Sequence, residues 1–484
     1  MKQTLFTFAL LFSCNLLALQ AQVDLRNLFI EGKVMDQTTG KGIPGVPVSD
    51  GYLIVQTNDE GNYQIVTNRT ADFIMLTIPS GYEIPMKNGL PDIGIPIDKT
   101  KENQQIDFAL KPLNRAEDNH RLIVFADPQV YDENDLQKFE ESVKDMIRTI
   151  QEEDVPTYAF VCGDIVFDKP ELFAPYKEIV TRLACPVFHT KGNHDMAYGG
   201  WSAETSPTIF RKEFGPEFYS FNRGNTHYVV LDDVMYTSNA YYYIGYLSDR
   251  QMNWLKQDLS FVKPGSNVIL MFHIPVWSLE LKENPSAMGS LFNCLQNREH
   301  LFELLKPFNA HIFSGHNHSN ENYILATNIF EHIHGGICGS WWQSDICTDG
   351  TPAGYAVYNI QDDQIDWHYR TTGKEAGYQA TWYAAGTDPE RPEAVIANVW
   401  NWDPAWEVVW YENGELKGKM EQYKGVDPYY KPYFEQNRAN WIHTWISVTP
   451  TDHLFYAIPS HPGATITIEV TDRFGKKYKA IQLK

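Results

Sequence analysis

Gly192-Asn193-His194-Asp195 follows the apolar run Pro186-Val187-Phe188-His189 and combines an amide, an imidazole and a carboxylate in a turn too short to bury much. A core-forming segment does not look like that. The order predicts a loop at the C-terminal end of a β-strand, where open α/β sheets hold their ligands. Gly-Asn is also ordinary turn chemistry, so the tetrapeptide alone does not decide between a site and a solvated turn.

Four further apolar runs end the same way. Leu122–Ala126 leads to Asp127-Pro128-Gln129, and Tyr158–Cys162 leads to Gly163-Asp164 and on to Asp168. Val268–Phe272 leads to His273-Ile274-Pro275, and His311–Ser314 leads to Gly315-His316-Asn317-His318. For any one residue a bland role competes: Asp127 as a helix cap, Asp164 in a turn, His316 and His318 as solvated positions at a strand end. Five strand-like runs each ending in potential ligands make one constellation.

The 484 residues allow two to four domains with substantial cores. A net charge of −21 excludes a broad nucleic-acid footprint and disfavours adhesion to anionic membranes. An anionic substrate therefore needs a local positive source such as metal ions. Residues 1–21 run from Met1-Lys2 through an apolar stretch to Gln20-Ala21, the order of a secretory signal cleaved after Ala21. Export to the periplasm is the expected destination, with a lipoprotein anchor at Cys14 as the alternative. No other stretch is long and apolar enough to span a bilayer, so no stable membrane insertion is expected. Five cysteines remain, without a C-x-x-C pair. Cys162 and Cys185 read as buried or free thiols, whereas Cys338 and Cys347 are able to clip one loop in an oxidising compartment.

Residues 22–117 are rich in β-branched residues and turn pairs, which predicts a small antiparallel sandwich. Its Gly32-x-Val34, Gly42-Ile43-x-Gly45 and Gly61-x-Tyr63 resemble carboxypeptidase-regulatory-like sandwiches, which implies a scaffold. Residues 118–371 alternate strand and helix, implying a layered α/β core. Helices are expected over Asp132–Glu153, with apolar Leu136, Phe139, Val143 and Met146 on one face, and over Glu171–Leu183. A third starts at a capping box, Ser248-Asp249-Arg250-Gln251, and a fourth runs over Arg298–Leu305. Residues 372–484 are β-rich and hold seven of the thirteen tryptophans, which either pack that domain or bind sugar rings.

Carboxylates, an amide and imidazoles without thiolates suit Mn²⁺, Fe or Zn²⁺. Seven candidate ligands are too many for one catalytic ion with open positions, while a shared carboxylate such as Asp164 bridges two ions. Hydrolysis of a phosphate ester, a monoester or a diester, by a hydroxide held between them is the natural reading.

Over about residues 119–370 the five clusters resemble the calcineurin-like metallophosphoesterase superfamily in order and approximate spacing. The resemblance implies a four-layer α/β/β/α sandwich, here flanked by two small all-β domains. It implies one metal held by Asp127, Gln129, Asp164 and His318, and a second by Asp164, Asn193, His273 and His316. It makes His194 the general acid or charge-stabilising donor, oriented by either Asp168 or Asp195. Gln129 stands where many members have a histidine, which puts metal identity at that position in question. The loop bearing Trp341 and Trp342 is expected to cover the metals, with the two rings either stacking on a base or sugar of the substrate or packing the rim; Tyr198 and the run Tyr241-Tyr242-Tyr243 are weaker candidates for substrate contact. His332 and His334 read as strand-end histidines. The expected substrate is a small-molecule, lipid or glycan phosphate ester. The rival reading is an envelope carbohydrate-binding protein with a catalytically silent core.

Overall fold

Two sheets packed face to face carry the central part of the chain. The computed structural model describes residues 27–483 apart from 198, 201, 240–241 and 285–288. The expected signal segment with Cys14, and Tyr198 and Tyr241, lie outside the described residues. The first sheet contains β1 (Asn119–Phe125), β2 (Thr157–Val161), β3 (Val187–His189), β10 (Gly354–Gln361) and β11 (Gln364–Thr371), in the order β3-β2-β1-β10-β11. The second contains β4 (Tyr219–Arg223), β5 (Thr226–Val230), β6 (Asn267–Met271), β7 (Asn309–Ser314), β8 (Glu321–Ala326) and β9 (Ile329–Ile333), in the order β4-β5-β6-β7-β9-β8. Strands β1 to β3 run parallel, as do β5, β6, β7 and β9. Their near-continuous apolar sequences follow from burial on both faces.

Helices close both outer faces. Helix α1 (Glu133–Gln151) starts at Asp132, whose side chain accepts the Asp135 N–H, and buries Leu136, Phe139, Val143 and Met146. With α2 (Phe173–Val180), which is prolonged by a 3₁₀ turn at each end, it covers the first sheet. Helix α4 (Asp249–Leu259), which follows α3 (Thr208–Phe214) in the chain, and α5 (Arg298–Leu305) cover the second. Leu122, Val124, Phe160, Phe221, Tyr228, Ile269 and Tyr358 fill the space between the sheets. This is the expected α/β/β/α layering. At α4 only half of the expected capping box forms: Ser248 accepts the Gln251 N–H, but the Gln251 side chain turns to both backbone groups of Asp232.

The N-terminal strands form two facing sheets, but not a purely antiparallel sandwich. Leu28–Asp36 pairs antiparallel with Asn62–Thr67 and parallel with Asn103–Gln105 and Phe108–Leu110. Parallel pairing requires a long connection that local turn signals do not reveal. This unit docks on β4 and α4. The Trp254 indole donates to Ser49 Oγ at 2.9 Å, Arg250 Nε donates to Gly51 O at 2.9 Å, and Thr77 and Ser220 share a hydroxyl contact at 2.9 Å.

The C-terminal residues build a second sandwich, of five and four strands, around Trp382, Trp406, Trp410, Phe455, Ile468 and Val470. Trp400 and Trp441 are also buried. Packing therefore accounts for these five of the seven tryptophans, and Trp445 stands apart at 53 % exposure. Helix α6 (Tyr430–Asn437) and the loop after it join the sandwich to the central core through Tyr430, Phe434, Trp441 and Ile446, which pack against Trp341 and Ile346. All five described cysteines are free thiols, Cys338 and Cys347 included. Among the described residues no helix is long and apolar enough to cross a membrane.

Candidate metal centre

Every ligand candidate lies just past the C-terminal end of a parallel strand: Asp127 and Gln129 after β1, Asp164 after β2, Asn193 after β3, His273 after β6, His316 and His318 after β7. Adjacent parallel strands bring these loops to one rim. The turns are tight enough to force unusual backbone. Asp127, Gln129, Asp164, Asp168, His316, His318, Trp341 and Trp342 are eight of the twelve described non-glycine residues with positive φ. Each such residue costs about 1–2 kcal/mol, so this concentration marks a place where function overrides local preference. Two glycines explain the motif spelling. A Cβ on Gly192 would meet Asp164 N and Oδ1 at 2.1 Å, and one on Gly315 would meet Asp127 Oδ2 at 2.6 Å.

The seven side chains converge. His273 Nε2 lies 3.4 Å from Asp164 Oδ2, 3.1 Å from Asn193 Oδ1 and 3.1 Å from His316 Nδ1. His318 Nε2 lies 3.6 Å from Asp127 Oδ1, and Gln129 Nε2 donates to Asp164 Oδ2 at 2.7 Å. Two donors sharing a small divalent ion at about 2.1 Å each stand about 3.4 Å apart in a tetrahedral arrangement, so these separations suit a cation. Asp127 Oδ1, Gln129 Oε1 and His318 Nε2 are buried without a hydrogen-bond partner. An unsatisfied buried polar atom costs about 1–3 kcal/mol, and bound cations would satisfy these three.

Charge makes the same demand. Burial alone lowers the His273 pKa, yet Asp164 and Asp127 raise it to about 10. Burial likewise raises Asp164, but His273 and His194 hold its carboxyl well below the usual range, while burial and Asp164 push Asp127 up. Burial keeps His316 and His318 neutral, with His318 lowered to about 4, and a neutral imidazole is the form that binds metal. The pocket's negative charge suffices to hold a proton on one imidazole, and divalent ions satisfy the same need. The residues fit divalent metal ions, with Asp164, His273 and His316 grouped closely enough to hold one.

Beside this cluster, His194 Nδ1 meets Asp168 Oδ1 at 2.8 Å, with Nε2 4.0 Å from Asp164 Oδ2. Its side chain is 20 % exposed. Burial works to lower its pKa, but Asp164, the hydrogen bond to Asp168 and Asp195 together raise it. Of the two candidate orienting groups, the geometry selects Asp168. Asp195 accepts N–H groups from Gly192 at 2.9 Å, Ile165 at 3.0 Å and Val166 at 3.2 Å, so it ties the loops after β2 and β3 together without touching the imidazole.

The central residues 120–320 match the family model for calcineurin-like phosphoesterase, with residues 29–113 and 331–478 matching the models for that family's N-terminal and C-terminal parts. The chain belongs to the calcineurin-like phosphoesterases. The chain is 26 % identical over 147 residues to a 3′,5′-cyclic-nucleotide phosphodiesterase of Nostoc, across 30 % of this chain and 49 % of that one. It thus spans about half the length of that curated relative. Among solved structures, a dimetal phosphatase from Danio rerio is similar at 13 % identity and a TM-score of 0.39, over 53 % of this chain and 97 % of that one. A purple acid phosphatase from yellow lupin is similar at 12 % identity and a TM-score of 0.40, over 69 % and 68 %.

Of the two readings for the rim tryptophans, packing holds for Trp342. Trp342 is buried, its indole N–H donating to Pro128 O at 2.8 Å; it packs the loop against the first sheet and is not a substrate platform. Trp341 stacks on His318 with centroids 3.8 Å apart. His332 bonds Asn322 and stacks on His311, and His334 bonds Ser314 O and Tyr358, as strand-end histidines do. Tyr243 lies edge-on to His316 at 5.9 Å. Three groups went unforeseen. Asp233, fully buried, accepts the N–H groups of His273 and Ile274 and fixes that loop. The run Tyr228–Leu231 followed by Asp232-Asp233 repeats the strand-then-polar signal and was the clue. Phe167, 4.4 Å from the His194 ring, and the C-terminal Trp445 had no local signal.

Proposed function

We propose that this chain hydrolyses phosphate esters at two divalent ions, Mn, Fe or Zn, with Asp127, Gln129, Asp164 and His318 holding one and Asp164, Asn193, His273 and His316 the other. The observation that carries the reading is that Asp127 Oδ1, Gln129 Oε1 and His318 Nε2 are buried without a hydrogen-bond partner on the rim that also holds the Asp164–His273–His316 cluster. Bound there, divalent ions supply Lewis acidity toward the phosphoryl oxygens and acidify a water.

The protein's own groups do the rest. Asp168 holds His194 Nδ1, so the Nε2 edge faces the cluster. From there His194 hands a proton to the departing oxygen as the phosphorus–oxygen bond to the alcohol breaks and a water oxygen bonds to phosphorus. Asp233 and Asp195 keep the ligand loops in register through their backbone N–H contacts. Gln129 Nε2 donates to Asp164 Oδ2, and the Gln129 carbonyl oxygen is thereby left for a cation. Intact groups at all five strand ends favour catalysis over a silent core, and the burial of five of the seven C-terminal tryptophans weakens the carbohydrate-binding rival. The composition of residues 1–21 supports export as the setting.

The test is hydrolysis of para-nitrophenyl phosphate and bis-para-nitrophenyl phosphate with added Mn²⁺, for the wild type and Asp164→Asn. Metal-dependent turnover lost by at least about 100-fold in the variant is expected. Equal inactivity of both proteins with every metal and substrate rejects the reading, and the preferred substrate separates monoesterase from diesterase.

A further inference from the structure

Trp445 is the exception among the C-terminal tryptophans, and its position is fixed. Its loop is held by Arg438, whose Nε and Nη2 donate to Thr444 O at 3.0 and 2.8 Å, and by Ile442 N–H, which donates to Gln343 Oε1 at 3.0 Å. Trp441 and Ile446 on either side are buried, so the loop is anchored at both ends while the Trp445 ring faces solvent.

That ring lies against Phe167 and Trp341, the two rings that pack on His194 and His318. On the His194 side, Phe167 packs on the imidazole at 4.4 Å and lies 6.3 Å from Trp445, with the two ring planes 22° apart. On the His318 side, Trp341 stacks on the imidazole at 3.8 Å and meets Trp445 edge-on at 4.5 Å. His443 closes the back of the group, 5.2 Å from Phe167 and 5.6 Å from Tyr131. The result is a continuous aromatic shelf one ring away from the proton donor, two of whose members, His443 and Trp445, come from the C-terminal unit.

We propose that this shelf is the subsite for the departing half of the ester, and that the preferred substrates carry a planar, uncharged ring there, as an aryl or nucleobase-bearing group does. The inference rests on the phosphoesterase reading. A group bonded to an oxygen next to His194 has Phe167 beside that imidazole, 4.4 Å away, and Phe167 leads to Trp445 at 6.3 Å. The side chains that line the shelf are aromatic, and aromatic rings favour a flat ring in offset or edge-on packing over an alkyl chain of equal area. A base stacked on an aromatic side chain is held roughly tenfold more tightly than without it.

The experiment is calorimetric titration of the Mn²⁺-loaded full chain with phenylphosphonate and with methylphosphonate, neither of which is hydrolysed. The wild type is expected to bind phenylphosphonate about tenfold more tightly. Trp445→Ala and Trp445→Leu should both lose that preference while methylphosphonate binding and bound manganese stay unchanged, and Trp445→Phe should keep most of it. No phenyl preference in the wild type, or equal losses for both ligands in Trp445→Ala, overturns the proposal. The two readings fail separately: a phenyl preference without turnover of any ester supports the shelf and counts only against the reaction, whereas turnover without the preference rejects the shelf alone.

Discussion

The two β-sandwiches dock on the same pair of sheets, yet their contacts differ in kind. The N-terminal one binds β4, α3 and α4 through Thr77, Ser49, Gly51 and Asp72, and none of its partners there is a ligand candidate. The C-terminal one grips the loops that carry the metal centre. Asn320, two residues after His318, donates to Trp400 O at 2.7 Å, and Thr449 bonds Thr348, whose hydroxyl donates to His318 O. Asp349, which accepts the Asn320 N–H at 2.8 Å, also pairs with His453 of the C-terminal sandwich at 3.2 Å. Similar folds thus take different parts: one braces the edge of a sheet, the other holds the loops that carry His318 and Asn320.

The sharpest way to break this contrast is to disturb each interface and read both stability and metal binding. Asp349→Ala leaves a buried His453 without its counter-charge and frees the His318–Asn320 turn. A loss of about 3–5 kcal/mol in denaturant unfolding is expected, together with weaker manganese binding in a metal titration. Arg211→Met removes the partner of buried Glu217, which accepts from Arg211 Nε at 2.7 Å, and of Asp72 in the N-terminal sandwich at 2.9 Å. About 3 kcal/mol of stability should go, with manganese affinity and turnover of the folded protein unchanged. A fall in metal affinity there would erase the distinction.

Smaller effects should appear with pH, and with opposite sign at the two interfaces. At Glu217 burial raises the pKa, but Arg211, aided by Arg250, holds it below 4.5. Its stabilisation is present above that value and is lost as pH falls through the folded pKa. At His453 burial lowers the pKa, but Asp349, with Asp452 and Glu321, raises it above 6.5. Its stabilisation is present below that value and is lost as pH rises through the folded pKa. Stability profiles should therefore lose part of the acid limb in Arg211→Met and part of the alkaline limb in Asp349→Ala, each against wild type.

The metal loops were legible because catalysis needs polar groups where folding prefers apolar ones, and each such group sits directly after an apolar strand. Asp164, His273 and His316 each have a bland reading alone and became legible because five apolar runs end the same way. What could not be read depends on distant partners. Asp195 and Asp168 are equally plausible orienting groups until the loop bends, and only then does Asp195 turn to three backbone N–H groups. Trp342 reads like Trp341, but its indole finds Pro128 O across 214 residues and goes under the loop. Phe167 and Trp445 lie 6.3 Å apart in space and belong to different domains, so no local pattern joins them. The pairing of Leu28–Asp36 with strands near residue 105 is hidden for the same reason.

Equilibrium dialysis of the full chain against Mn²⁺, with metal counted by elemental analysis, probes the shared grip of Asp127, Gln129, Asp164, Asn193, His273, His316 and His318 most directly. About two ions per wild-type chain should be retained, and Asp164→Asn, which weakens the carboxylate common to both positions, should retain fewer. A wild-type chain that keeps no ion, or a variant that keeps as many as wild type, contradicts the account.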